Sequence, residues 1–231
     1  MNHFTLDDLR ADIKGKSCVV IGSAPSCLEN NGKHVDSYDI VIRVNNYKTK
    51  GEHWKTKKKY DFTSQVGSRI DYHYSFYGGS IRKTDEELKG IKAHLCKCPD
   101  ALVHPTAWHK ERNYVGCDFT QIYRRRRGFW IAPVYIPTVE HYYKLFNRLK
   151  QHVPSTGLAC INDVLQCHPS ELYITGFDFM KTPRHNVNEL WLAGDPTDPI
   201  GHDWEAEQKL FTEWVNKNKN IVLDNRLKDI L

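Results

Sequence analysis

No stretch of the 231 residues approaches the roughly 20 consecutive apolar positions a membrane-spanning helix requires. The N-terminal residues Met1 to Lys16 are polar and lack the apolar centre of a secretion signal. The expectation is a cytoplasmic protein without its own anchor, although a piece trimmed from a larger anchored protein would read the same way. An excess of one charge is also missing. Lys and Arg number 33 against 28 Asp and Glu, a net +5, so composition gives little support to a nucleic-acid partner. Metal spacing is absent too, because Cys96 and Cys98 are too close for a zinc knuckle and no second pair completes them. The seven cysteines are odd in number in a chain too large to need stapling, which favours a reducing compartment.

What is present is an alternation of strand and helix signals. Ser17 to Gly22 is a short apolar run ending in glycine, as in a parallel strand buried on both faces. Asp39 to Asn45, Arg69 to Tyr77 and Ala101 to His104 read as further strands, with a helix expected over Asp85 to Lys97. Val139 to His152 carries apolar residues at helical spacing, Pro154 opens a second helix through Gln166, and Glu171 to Phe177 is a strand. An irregular stretch, Asp178 to Gly201, precedes a long helix over Asp203 to Asn218 and a strand over Asn220 to Leu223. Irregular stretches of that length are usually lids or binding loops. With no linker-like break and no internal repeat, residues 1–231 read as one α/β domain, Rossmann-like, with a mainly parallel central sheet flanked by helices. Ligands of such sheets lie at the carboxyl ends of the strands.

Three segments converge on that edge. Gly22-Ser23-Ala24-Pro25-Ser26 leads from strand to helix start, where unpaired amides can face an anion, though a plain turn has the same composition. Ser155, Thr156 and Gly157 offer two hydroxyls and a close-approach glycine at the next helix start, and ordinary N-capping accounts for them equally well. His202 precedes the last long helix and Glu207 follows five positions later. A histidine neutral near pH 7 suits removal of a hydroxyl proton, and Glu207 could orient the ring or stabilise its charged form. The alternative is that His202 only caps the helix. His185, earlier in the same loop, could donate to a departing phosphate or decorate the surface.

The order of these segments resembles the sialyltransferase family of animal type. SCVVIG, then KHVDSYDIVIRVNNYKTKG and QVGSRIDYHYSFY, is similar to the family's long motif. PSTGLACINDVLQCHPSELYITGF is similar to its short motif, and His185, with His202 17 residues later and Glu207 beyond, to its third and very short motifs. The resemblance runs from Ser17 to about Val215, leaving Gly79 to Phe129 unmatched. It implies a GT-A-like fold and a CMP-activated sugar acid bound through Gly22, Ser23, Ser26, Asn45, Ser155, Thr156, Gly157, Gly176 and Phe177. It further implies His202 as base, His185 on the donor phosphate, and inverting transfer of sialic acid to a glycan or glycolipid hydroxyl. No metal or other cofactor is expected, since Asp-x-Asp is absent and the leaving group bears a single phosphate. Ser23 departs from the family's usual asparagine. Animal members join two cysteines at about the places of Cys18 and Cys167, and a trimmed member of that kind would reside in the Golgi lumen. Arg124, Arg125, Arg126 and Arg127, in the unmatched middle, could meet an acidic glycan or a membrane surface.

Three rivals stay open on the sequence. A CMP-Kdo-dependent transferase would use the same pocket for a related sugar acid. A Rossmann methyltransferase would need an acidic residue at the end of the second strand, where Arg43 and Asn45 stand. A non-catalytic glycan- or lipid-binding protein could retain the fold.

Overall fold

In the computed structural model the described residues are 3–45, 49–52, 57, 59–75, 90–97, 101–102, 117–118, 132–181 and 202–231. The chain opens with β1 (His3–Phe4) and α1 (Leu6–Ile13), the latter started by a capping box in which Thr5 and Asp8 exchange side-chain and backbone hydrogen bonds. β2 (Ser17–Ile21), a 3-10 turn (Pro25–Glu29), α2 (Gly32–Asp36) and β3 (Ile40–Val44) follow. A hairpin of β4 (Lys50–Glu52) and β5 (Lys59–Asp61) leads to α3 (Thr63–Val66), β6 (Tyr72–Ser75) and β7 (Ala93–Cys96). β8 (Ala101–Leu102) and β9 (Cys117–Asp118) pair with each other, and β10 (Val134–Tyr135) returns to the main sheet. Then come α4 (Val139–Arg148), α5 (Thr156–Leu165), β11 (Glu171–Thr175), α6 (Trp204–Lys217), β12 (Ile221–Leu223) and α7 (Asn225–Ile230).

Among the described residues, eight strands form the main sheet in the order β1-β10-β7-β6-β3-β2-β11-β12, and each neighbouring pair is parallel. Period-2 alternation gives each strand two apolar faces. Cys18, Val20, Ile42, Tyr74 and Ile174 pack with Leu9, Leu158, Phe211 and Leu227 of the helices, whereas Val19, Ile21, Val41 and Tyr173 pack with Cys27, Val35 and Val66. From β2 the chain moves to β3 on one side; from β11 it moves to β12 on the other. The strand order therefore reverses between β2 and β11, the switch point at whose carboxyl ends ligands of such sheets bind.

Much of the first long segment proves to be scaffold. The Asp36 carboxylate accepts from the Ser68 and Arg69 amides at 2.9–3.0 Å, and the Arg69 guanidinium donates to the carbonyls of Asp36 and Tyr38, each at 2.7 Å. Gly67 has φ +70, and a Cβ there would lie 2.2 Å from Asp36 Oδ1, so only glycine closes this knot. Arg43, buried at the end of β3, donates to the Val66 and Arg69 carbonyls.

Two expected elements differ. Ala93 to Cys96, expected at the end of a helix, is a buried strand, because all four residues fit between β6 and β10, with Gly90 (φ +91) ahead of them in a left-handed conformation no helix uses. Ala101 to Leu102 pairs with β9 rather than extending the main sheet. The earlier part of the expected helix, 85–89, lies outside the described residues. Among the described residues no helix is long and apolar enough to cross a membrane, and Cys18 and Cys167 are free, buried thiols.

Candidate active site

The carboxyl ends of β2 and β11 are joined tightly. Gly22 N donates to the Thr175 carbonyl and Ala24 N to the Gly176 carbonyl, each at 2.8 Å. A Cβ on Gly22 would stand 2.2 Å from Gly176 O, and Gly176 itself has φ +75. Glycine at both positions thus follows from backbone contact alone. Asp224 fixes the second turn from below, accepting from the Thr175 hydroxyl at 2.8 Å and the Gly176 amide at 3.0 Å. Above the turn lies Phe177, with Cε1 3.0 Å from where a Gly22 Cβ would be and 2.3 Å from where a Gly157 Cβ would be. One aromatic ring therefore packs against the first turn of α5 and the end of β2. Ser26 is buried at 4% exposure, and its Oγ has no hydrogen-bond partner among the described residues.

α5 begins in a clamp. Ser155 is its N-cap, with the hydroxyl accepting from Leu158 N at 3.2 Å. The same hydroxyl donates to Glu207 Oε2 at 2.6 Å, and Ser155 N donates to Glu207 Oε1 at 2.5 Å. The preceding carbonyl, Pro154 O, accepts from Lys97 Nζ at 2.8 Å, and the one before it, Val153 O, accepts from His202 Nδ1 at 2.5 Å. Three side chains from two distant parts of the chain thus hold three consecutive residues.

His202 and Glu207 do meet, though not as partners in a hydrogen bond: Nδ1 lies 3.9 Å from Oε1, and the two side chains are 9% and 1% exposed. The ring is oriented by the Val153 carbonyl instead. Because a carbonyl only accepts, Nδ1 carries the hydrogen, and in the neutral ring the lone pair falls on Nε2. Trp204 packs on the imidazole, with ring centroids 5.0 Å apart.

Asn45, at the end of β3, takes a left-handed conformation (φ +61) that asparagine tolerates better than most residues. Its carbonyl accepts from His73 Nε2 at 2.5 Å, and His73 Nδ1 faces His94 Nδ1 at 3.1 Å across the adjacent strand. Of the sequence-derived residues, Gly22, Ser155, Thr156, Gly157, Gly176, Phe177, His202 and Glu207 lie along one continuous path, and Asn45 stands at the end of the strand beside β2. Ser23 occupies the half-buried turn between Gly22 and Ala24. His185 and Arg124 to Arg127 lie outside the described residues. Lys97 and Asp224 were missed. A lysine closing an apolar strand is the only signal the sequence offers for Lys97, and Asp224 reads as an ordinary helix cap.

A family model described as glycosyltransferase family 29 (sialyltransferase) matches residues 5–219. The human type 2 lactosamine alpha-2,3-sialyltransferase is 25% identical over 223 residues, covering 90% of this chain and 64% of its own length. The pig CMP-N-acetylneuraminate-beta-galactosamide-alpha-2,3-sialyltransferase 1 is 25% identical over 219 residues, covering 91% and 59%. The chain thus spans about three-fifths of the length of these relatives. Among solved structures, a mammalian sialyltransferase in complex with Gal-beta-1-3GalNAc-ortho-nitrophenol aligns with TM-score 0.55 at 19% identity, covering 94% of this chain and 71% of that one. The monofunctional alpha-2,3-sialyltransferase Cst-I of Campylobacter jejuni aligns with TM-score 0.55 at 13% identity, covering 91% and 76%. At these identities the alignments establish a shared fold.

Proposed function

From its membership of glycosyltransferase family 29, the sialyltransferases, we propose that this chain moves sialic acid from CMP-sialic acid to a hydroxyl of a glycan or glycolipid, with inversion and with His202 as general base. The observation that carries this reading is the hydrogen bond from His202 Nδ1 to the Val153 carbonyl. It orients the ring and leaves Nε2 as the basic nitrogen, beside the helix start that would hold the donor.

In the proposed reaction His202 Nε2 takes the acceptor proton as the hydroxyl oxygen bonds to the anomeric carbon. The bond from that carbon to the phosphate oxygen breaks, and CMP departs with the electron pair. The amino end of α5, with its unpaired amides and positive dipole end, supports the phosphate or ribose. Phe177, packed against Gly157 and Gly22, offers a flat apolar face to the cytosine. His185 would serve the donor phosphate. The single phosphate needs no divalent ion for charge neutralisation in this scheme, so transfer should persist in EDTA.

The relatives' names point to lactosamine- and galactosamide-type acceptors, which are the first to assay. A cytoplasmic setting, with Arg124 to Arg127 touching an acidic glycan or membrane lipid, belongs to the same proposal and is read by sedimentation with anionic vesicles. Incubation with CMP-sialic acid or CMP-Kdo, followed by measurement of CMP release and product mass, separates the donors. Acceptor-dependent CMP release from CMP-sialic acid alone is expected. Release from CMP-Kdo alone would reassign the sugar, and release from neither would favour a non-catalytic binder.

A further inference from the structure

Lys97 stands at the carboxyl end of β7 with only 4% of its surface exposed. A buried ammonium is costly unless polar groups receive it, so its position calls for a reason. Its Nζ donates to Pro154 O at 2.8 Å, while the N–H of the same peptide unit, on Ser155, donates to Glu207 Oε1 at 2.5 Å. One peptide plane is therefore held at its oxygen by a cation and at its nitrogen by an anion. The proline ring already fixes φ at residue 154, so rotation of this plane is the main freedom left at the junction. That plane immediately precedes Ser155, the N-cap of α5, so the chain enters the first turn at Thr156 and Gly157 through it.

We propose that Lys97 is a positioning residue for donor binding, acting through the Pro154–Ser155 peptide unit on the amino end of α5. The inference rests on the CMP-sugar reading above. Lys97 need not touch the nucleotide; it keeps the anion-binding helix start aimed at it. Charged hydrogen bonds of this kind are strong, so their loss at a helix start that must stay preorganised should be visible in binding.

The test measures CMP affinity by calorimetry, and donor and acceptor KM, for the wild-type chain, Lys97→Met, Lys97→Arg, Glu207→Gln and the Lys97→Met/Glu207→Gln double variant. Lys97→Met should weaken CMP binding about tenfold and raise donor KM in step, with acceptor KM unchanged. Lys97→Arg, which keeps a cation and N–H donors, should recover to within about threefold of wild type. The double variant should lose less than the product of the single losses, because both side chains act on one peptide unit. If Lys97→Met does not fold, Lys97→Gln is measured in its place under the same expectation of weakened binding. Wild-type CMP affinity in folded Lys97→Met or Lys97→Gln, or losses that multiply fully, would overturn the assignment. A wild-type chain that does not bind CMP would instead remove the donor reading, and this inference with it.

Discussion

The Glu207 carboxylate holds Ser155 at two points, the amide at 2.5 Å and the hydroxyl at 2.6 Å, while His202 Nδ1 stands 3.9 Å away. The acid that follows the histidine by five positions thus serves chiefly to bind the end of one motif to the start of another. Its carboxylate is 1% exposed, so the loss of charge at this position cannot be made good by water.

Glu207→Gln should therefore weaken CMP binding as well as turnover, each by about tenfold or more. Calorimetry with CMP and steady-state rates on the same preparation check this. Were Glu207 only a partner in proton transfer, turnover would fall and CMP affinity would stay at the wild-type value.

The glycines of the site should differ in tolerance. Gly22→Ala drives a Cβ into the Gly176 carbonyl, 2.2 Å away and part of a fixed turn, whereas Gly157→Ala meets the edge of the Phe177 ring at 2.3 Å. A ring can shift and a paired backbone cannot. Gly22→Ala should lower Tm by about 5 °C or more, as overpacking of a core does. Gly157→Ala should cost less stability and more CMP affinity. Thermal melts and CMP titrations of the two variants make the comparison.

The parallel sheet and the three convergent segments were legible because each rests on a local signal: an apolar run ending in Gly22, a hydroxyl cap at Ser155, and a histidine just ahead of the helix that carries Glu207. Other features were hidden for a physical reason. Ala93 to Cys96 joins the sheet through pairing with residues about 20 and 40 positions away, and a four-residue strand carries no periodicity strong enough to announce that. β1 and β10, two residues each, are shorter still. The role of Lys97 arises only when β7 meets the loop before α5. Arg43 and Asp36, inside the segments that carry the family resemblance, hold the loop around Gly67 through partners 23 to 33 positions away, which no local pattern announces.

A second titratable pair, of half-buried His141 and buried Asp163, lies away from the site. His141 Nε2 contacts Asp163 Oδ1 at 2.7 Å, and Tyr74 donates to the other carboxylate oxygen at 2.8 Å. The hydrogen bond to Asp163 raises the His141 pKa above its ordinary 6.5, against burial, which lowers it. A raised folded-state pKa means stabilisation that is fully present below pH 6.5 and fades as pH climbs through the folded value. Tm should therefore decline from pH 6 toward pH 8.5, and His141→Gln should flatten that decline. An equal slope in the variant would assign the pH dependence elsewhere.

The thiols should be inert. Burial, with Cys167 nearby, pushes Cys18 up to about 12, and burial, with Asp163 nearby, pushes Cys167 up to about 12. Thiolate is the reactive form, so neither should label in the folded protein at pH 8. Iodoacetamide labelling followed by peptide mass mapping should find both modified only after unfolding. An intact mass unchanged by reductant would confirm that they are not joined.

The most direct measurement is the turnover of His202→Ala with CMP-sialic acid and a galactoside acceptor, set beside its CMP affinity. The hydrogen bond from the side chain to the clamp goes to Val153 O, while Ser155 and Pro154 keep their own partners, so CMP should bind within a few fold of wild type. Loss of a positioned base should lower kcat by about 10² to 10⁴. A folded His202→Ala enzyme that turns over at the wild-type rate would contradict the account.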